Sequence, residues 1–303
     1  MSAYRFCRTD DIGLLVDALN RCWAPYYPDE PPVTPAAFKR SIRDLQVWCS
    51  SCMVAFSGSD PIGVLIGAKR LSSTLVHKIA VHPDHRRQGH GRHLLASLGS
   101  KLAILGPPRV VAEVPETLVP ARELFGASGY VEEAVLTDYV LEMPALSEHG
   151  SAEAGLMRVE GFVIPVTIDD LAANGLLGEA PTSPSASAGQ VDWQVCWKRS
   201  VETLTARKDD IAGLAVASDE RIEAYVLYVT RDMEETEILS LRSFIDDGGA
   251  RLKQLLAQLR ARGMETFRFP KVHPAEISTE WLETLGFRAA GRHLLYAAKA
   301  RSD

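Results

Sequence analysis

The residues best suited to chemistry lie in one run, Ile79-Ala80-Val81-His82-Pro83-Asp84-His85-Arg86-Arg87-Gln88-Gly89-His90-Gly91-Arg92. A β-prone stretch passes through two glycines into a helix striped by Leu94, Leu98, Leu102 and Leu105. Glycine permits positive φ and close backbone approach, so successive N–H groups can converge on one anion. The helix N-terminus adds unsatisfied donors and a dipole worth roughly 0.3–1 kcal/mol per nearby charge. Arg86, Arg87 and Arg92 bring fixed positive charge to the same segment. The combination predicts a diphosphate site; G-x-G spacing alone is equally consistent with an ordinary tight turn.

The elements that must position this loop read in the order β-α-α-β-β-β-α-β-α-β, a mixed α/β arrangement with helices on an open sheet. Strands are expected at Ala3–Cys7, Met53–Phe56, Ile62–Ala68, Leu75–Val81, Val110–Val114 and Val135–Leu141. Asp10 or Asp11 and Thr34-Pro35 open the first two helices, and Gly106-Pro107-Pro108 stops the leucine-striped one. The chain then repeats itself. Phe38-Lys39-Arg40-Ser41 recurs as Trp197-Lys198-Arg199-Ser200, Asp10-Asp11-Ile12 as Asp169-Asp170-Leu171, and Gly129-Tyr130 as Gly286-Phe287, at offsets of 159, 159 and 157 residues. A repeat this long is a duplicated domain. The expected division is a first domain at 1–146, a small polar linker at 147–160 containing Glu148-His149-Gly150, and a second domain at 161–303.

With these residues in place, the first half resembles the GNAT acetyltransferases. Arg86-Arg87-Gln88-Gly89-His90-Gly91 fits their R/Q-x-x-G-x-G/A signature, and Ala121-Arg122-Glu123-Leu124-Phe125 with Gly129-Tyr130 resembles their A-x-x-L-Y…G-F segment. The resemblance spans residues 3–143, and the duplication makes the whole chain look like a tandem-GNAT protein. It implies two GNAT-like domains, each a mostly antiparallel, splayed sheet flanked by helices. Acetyl-CoA, as co-substrate, would lie between the strands around Ile79–Val81 and Val110–Glu113. Its pyrophosphate would rest on the amides of Arg87–Arg92 and its pantetheine would pair with Ile79, Ala80 and Val81. At an offset of 158, Arg86, Gly89 and Gly91 map to Phe244, Asp247 and Gly249, so aromatic and acidic groups oppose a diphosphate in the second half. That half is expected to be degenerate, with a structural or groove-forming role.

The implied reaction is transfer of acetyl from acetyl-CoA to a primary amine of a small molecule or peptide, by direct attack in a ternary complex. An alkyl ammonium of pKa ~10.4 costs about 4.6 kcal/mol to present neutral at pH 7, which calls for a base. Glu113, at the end of Val110–Val114, is the first candidate, and its position equally suits a solvent-facing carboxylate. His77 is the second; by strand alternation it joins the face of Leu75 and Ile79, where a core histidine is equally natural. Glu116 is a loop residue. The tyrosine that the family often uses to protonate the departing thiolate is replaced here by Phe125, and the Asn before the motif's alanine by Leu118. Tyr139 on the last strand, or Tyr26 or Tyr27, offers a phenol instead. These departures keep open a non-catalytic acetyl-CoA-binding regulatory or assembly module. A nucleotide-phosphate binder is disfavoured because no P-loop lysine is present.

Between the first two helices stands Cys22-Trp23-Ala24-Pro25-Tyr26-Tyr27-Pro28-Asp29-Glu30. Tyr26, Tyr27, Asp29 and Glu30 suit a cationic amine, or a Pro-stiffened surface loop. Its counterpart, Ala180–Ala188, is low-complexity and reads as a flexible insertion. The 303 residues are 46% hydrophobic and 24% charged, which excludes a disordered or collagen-like chain. A net charge of −6 argues against a nucleic-acid partner, and no apolar run approaches the ~20 residues a membrane span needs. Five cysteines without a secretion signal read as reduced thiols in a cytoplasmic protein. Cys49-Ser50-Ser51-Cys52 lacks the second ligand pair of a zinc site, so no metal is expected. Either a monomer or a homodimer is compatible with these features.

Overall fold

The computed structural model describes residues 2–143, 161–177, 195–230 and 235–300. The expected linker and the Ala180–Ala188 insertion lie outside these residues. The chain divides into two compact units: Met1–Ala134 with Leu294–Asp303, and Val135–His293.

Unit 1 contains β1 (Ser2–Phe6), α1 (Ile12–Cys22), α2 (Pro35–Leu45), β2 (Met53–Ser57), β3 (Asp60–Lys69), β4 (Ser73–Val81), α3 (His90–Leu105), β5 (Arg109–Pro115) and α4 (Val119–Ala127). Thr34 Oγ1 accepts the Ala37 N–H at 3.1 Å with Pro35 next in line, so α2 starts where its cap and its proline dictate. Asp11 precedes α1 without capping it. Its carboxylate instead accepts from the Arg8 N–H at 2.7 Å and from Arg5 at 2.9 Å. Leu94, Leu98 and Leu102 of α3 are buried against Met53, Leu65, Val110, Ala112 and Phe125. Leu105, expected on the same stripe, is the last helical residue and is exposed.

Strands β1 to β4 pair in sequence order, each antiparallel to the next, and β4 meets β5 in parallel. The strand beyond β5 comes from the far end of the chain. β6 (Val131–Glu142), expected to complete this sheet, leaves unit 1 at Ala134, and residues 294–299 of β12 (Arg288–Lys299) take the place beside β5. Leu294 and Tyr296 are buried in the unit 1 core.

Unit 2 repeats the order with β7 (Phe162–Pro165), α5 (Ile168–Ala173), α6 (Val201–Ala206), β8 (Ala212–Ala217), β9 (Ile222–Thr230), β10 (Glu235–Ser243), α7 (Ala250–Ala261), β11 (Thr266–Val272) and α8 (Thr279–Thr284). Its strand order is β7-β8-β9-β10-β11-β6. β6 lies antiparallel to β11, with Tyr139 opposite Phe269, and Tyr139 and Leu141 are buried in the unit 2 core. The duplicated halves have therefore exchanged their last strands.

Candidate active site

β4 and β5 pair only at Ser73–Arg109, Thr74–Val110 and Leu75–Val111. Beyond that point both strands continue, to Val81 and Pro115, without pairing to each other. A parallel pair that separates leaves one edge of β4 with open backbone groups. The His82 N–H bonds the Ile62 carbonyl. Antiparallel alternation therefore turns the groups of Ala80 toward β3 and those of Ile79 and Val81 into the splay. Of the three residues expected to face pantetheine, Ala80 is thus taken up by the sheet. The Val81 carbonyl is also engaged, accepting from the Tyr26 hydroxyl.

The loop that follows turns through Pro83–His85 and enters α3 at Gly89, which adopts the left-handed conformation at φ 84° and makes no side-chain cap. Arg87 also has positive φ, 62°. The first helical bond runs from the His93 N–H to the Gly89 carbonyl, so the amides of His90, Gly91 and Arg92 precede it. Gly91 packs closely for a different reason: a Cβ there would lie 3.1 Å from the Leu124 side chain of α4, which would have to shift to admit it.

The guanidinium groups are more dispersed than the sequence suggests. Arg86 stacks 4.1 Å from the Tyr26 ring and donates to its hydroxyl. Arg87 reaches Glu123 at 3.7 Å, and Arg92 bonds the Ala127 carbonyl at 2.9 Å. Gln88 is exposed. The His90 ring is buried, its Nδ1 2.6 Å from the Tyr4 hydroxyl, so His90 contributes to the loop only through its backbone. Burial and the neighbouring His85 and His93 hold its pKa below the ordinary histidine value. Main-chain donors, rather than a focus of arginines, make this cradle.

Unit 2 shows what the same turn does when an anion is built in. Gly249 is left-handed at φ 83° and starts α7, so it is the true counterpart of Gly89, at an offset of 160 rather than 158. Arg251 then stands where Gly91 does. Asp247 Oδ1 accepts the N–H groups of Gly249 and Ala250 at 3.0 and 3.1 Å, and Oδ2 accepts the Arg251 N–H at 3.0 Å and its guanidinium at 2.8 Å. A carboxylate of the chain itself fills the helix terminus. Burial pushes this carboxyl up, but the bonds from Arg251 and Gly249 outweigh it and hold its pKa below the ordinary carboxylate value. A depressed folded-state pKa gives stabilisation that is complete above the unfolded value and is lost as pH falls through the folded one. Asp247→Ala is expected to cost about 0.5–2 kcal/mol at pH 7. The deficit should shrink below about pH 4, as urea unfolding at pH 7 and pH 3 would reveal; a deficit independent of pH would contradict the capping role.

At the splay itself, His77 and Glu113 each stand two residues past the last β4–β5 pair, at the same level on facing strands. The β3–β4 register shifts between Ile66–Lys78 and Gly67–Val76, so His77 is a bulged residue. The bulge breaks the alternation that would have placed His77 with Leu75 and Ile79: Leu75 and Val76 are both buried, and His77 is half-buried. Glu113 is half-buried between buried Ala112 and Val114. Tyr139, expected beside them, belongs to unit 2, where its hydroxyl lies 2.8 Å from Thr279 Oγ1.

The 23–33 loop is organised around the chain's own cation. Trp23 stacks on Tyr27 with ring centroids 4.6 Å apart and donates to Glu30 at 3.2 Å. Lys78 Nζ sits 4.2 Å from the Trp23 ring and 3.8 Å from Glu30. Asn20 ties the loop end through two bonds with Val33. Trp23 and Glu30, in the loop expected to receive a substrate cation, thus hold Lys78, while Asp29 is exposed and Tyr26 bonds Val81 and Arg86. Sequence reading passed over Lys78 because a lysine in a strand looks like an edge residue. The bulge at His77 is what re-aims it.

All five cysteines are buried and free. Burial pushes Cys7 up to about 12 and Cys22 to about 11, and raises Cys49 and Cys52 as well. Such thiols are inert at neutral pH. No group of three or more His, Cys, Asp or Glu among the described residues is arranged to hold a metal. No described helix is long and apolar enough to cross a membrane.

Residues 48–132 match the family described as acetyltransferase (GNAT) domain, a span that includes β4, the loop, α3, β5 and α4. No curated protein matches the sequence. Among solved structures, a tandem GNAT protein from the clavulanic acid biosynthesis pathway is 18% identical, with all of both chains covered and a TM-score of 0.63. A GCN5-related N-acetyltransferase from Sphaerobacter thermophilus is 13% identical over 99% of this chain and 96% of its own, TM-score 0.62. A putative acetyltransferase from Pyrococcus horikoshii is 14% identical over 99% and 90%, TM-score 0.58. At these identities the likeness is one of fold.

Proposed function

We propose, from this tandem GNAT fold, that unit 1 transfers acetyl from acetyl-CoA to a primary amine of a small molecule or peptide, and that unit 2 binds no CoA at the equivalent place. One observation carries the proposal: the strand edge freed by the β4–β5 splay runs directly into a helix start whose amides have no built-in anion. The same turn in unit 2 holds Asp247 instead.

The protein's part in the chemistry follows from its residues. The amides from Arg87 to Arg92 hold the diphosphate, and the splay-facing groups of Ile79 with the N–H of Val81 align the arm that carries the thioester. A splay-facing β4 N–H provides a donor for the carbonyl oxygen as negative charge grows there. Glu113, across from the bulge, takes the proton from the attacking nitrogen. Lys78, a fixed positive charge next to the bulge, disfavours an ammonium nearby and so lowers the cost of presenting the free amine.

Titration with CoA and release of free thiol from acetyl-CoA over a panel of amines and peptides test the proposal together. Arg86→Glu places a carboxylate beside the cradle and is expected to weaken CoA binding at least tenfold. Unchanged affinity would contradict the loop assignment. Tight CoA binding without transfer to any acceptor would instead favour a non-catalytic acetyl-CoA-binding module.

A further inference from the structure

We propose that unit 2 binds a small organic monocarboxylate in a cavity between α6 and the face of β9 and β10, independently of the acetyl transfer proposed for unit 1. The cavity has a volume of about 230 Å³, and Leu204, Tyr225, Ser240 and Arg242 are among the residues that line it. The helices on this face are short: α5 and α6 have six residues each, where α1 and α2 have eleven.

The repeat shows what is particular to unit 2. The Phe244 N–H bonds the Glu223 carbonyl as the His82 N–H bonds that of Ile62. Counting back along β10 and β4 aligns Arg242 with Ala80. Their directly opposed partners are Tyr225 and Val64. In unit 1 this couple is buried and apolar. In unit 2 it is a phenol beside a guanidinium on one face of the sheet. Ser240, two residues from Arg242, shares that face, and its hydroxyl lies 3.3 Å from that of Tyr225.

The charges of the wall do not cancel. Glu276 gives both oxygens to Arg199, at 2.6 and 2.7 Å, so this pair is neutral as a unit. Arg199 is buried there, whereas its repeat counterpart Arg40 is exposed. Arg242 is half-buried, and its guanidinium has no hydrogen-bond acceptor or ion partner among the described residues. Burial raises the pKa of the Tyr225 phenol, and the charge on Arg242 opposes that rise. One net positive charge remains for a ligand to answer. A guanidinium offers a carboxylate two parallel N–H donors, and the Tyr225 and Ser240 hydroxyls are rotatable donors beside it. A phosphate monoester, at about −1.5 to −2, would overcompensate a single charge.

Leu204 and Leu239 supply apolar wall for the rest of the molecule. A dry cavity of about 150 Å³ accepts benzene, so by that measure 230 Å³ takes about nine non-hydrogen atoms, the size of benzoate or hexanoate.

The test is calorimetric titration and thermal unfolding of the full chain with benzoate, hexanoate and the neutral benzamide. At least one of the two carboxylates is expected to bind with a Kd below about 1 mM and to raise the unfolding temperature. Benzamide should bind at least about tenfold more weakly. Arg242→Met keeps the aliphatic stem and removes the charge. It should lower carboxylate affinity at least about tenfold and leave CoA affinity and the ligand-free unfolding temperature unchanged. Carboxylate binding that survives this substitution, or that CoA displaces, would overturn the site. So would a Kd above about 1 mM for both carboxylates. Acetyl transfer by unit 1 is read separately, by thiol release, and stands or falls apart from these results.

Discussion

Glu113→Gln is expected to reduce acetyl transfer at pH 7 by about 10²–10³-fold, with CoA affinity within a factor of two. The amide keeps the size and most of the packing of the carboxylate, which stands half-buried two residues beyond the last β4–β5 pair. It cannot accept the proton of the attacking amine. General-base assistance of this kind typically contributes 10²–10⁴-fold. The deficit should depend on pH. The gap should narrow toward pH 10, where the free amine is abundant without help. Equal rates across the profile would remove Glu113 as base and leave His77, at the same level on the facing strand, as the remaining candidate.

A chain ending at His293 is expected to lose CoA binding in unit 1, although every residue of the cradle is still present. Residues 294–299 supply the strand beside β5, and Leu294 and Tyr296 are buried in the unit 1 core. Burial of side chains this size is worth about 1.5–3 kcal/mol each, and the exposed edge of β5 adds to the loss. Against a typical domain stability of about 5–15 kcal/mol, the deletion removes a large share. β6 cannot serve both units, because its residues from Val135 onward already complete unit 2. Calorimetric titration with CoA and thermal unfolding of the two chains would check this, and a peptide of residues 294–303 should restore part of the binding. Full affinity in the shortened chain would show that the exchanged strand is dispensable to the cradle.

Much of the local structure is legible in the chain. The order of elements follows from hydrophobic spacing and from caps such as Thr34-Pro35, which act within a few residues and need no tertiary context. The duplication is visible in three matches at nearly constant offset. The loop is visible because only glycine takes φ near 84° without strain at the start of a helix. Composition also anticipates the acid in the second cradle, although the structural alignment pairs Gly249, not Asp247, with Gly89. A short insertion changes offsets locally, and only the backbone conformation shows where the helix begins.

Other features depend on contacts between distant segments. The bulge at His77 is a property of how β4 pairs with β3, and it cancels the alternation from which the histidine's face was inferred. The capture of Lys78 by Trp23 and Glu30 joins residues about fifty apart in sequence, and it sets a cation of the chain itself against the loop. The same holds for Tyr26, which caps Val81 and underlies Arg86 rather than facing an acceptor.

The amino-acid order alone thus determined that there are two copies of one domain, that the first carries Gly89 and Gly91 at a strand-to-helix turn, and that the second carries Asp246 and Asp247 there. Only the folded chain decided which final strand completes which copy, and hence whether Tyr139 or Tyr296 is buried in the unit 1 core. The reason is that local conformation depends on residues a few positions apart, whereas the choice between two final strands depends on contacts with segments far away in the chain. Choosing between them takes the packing of the whole.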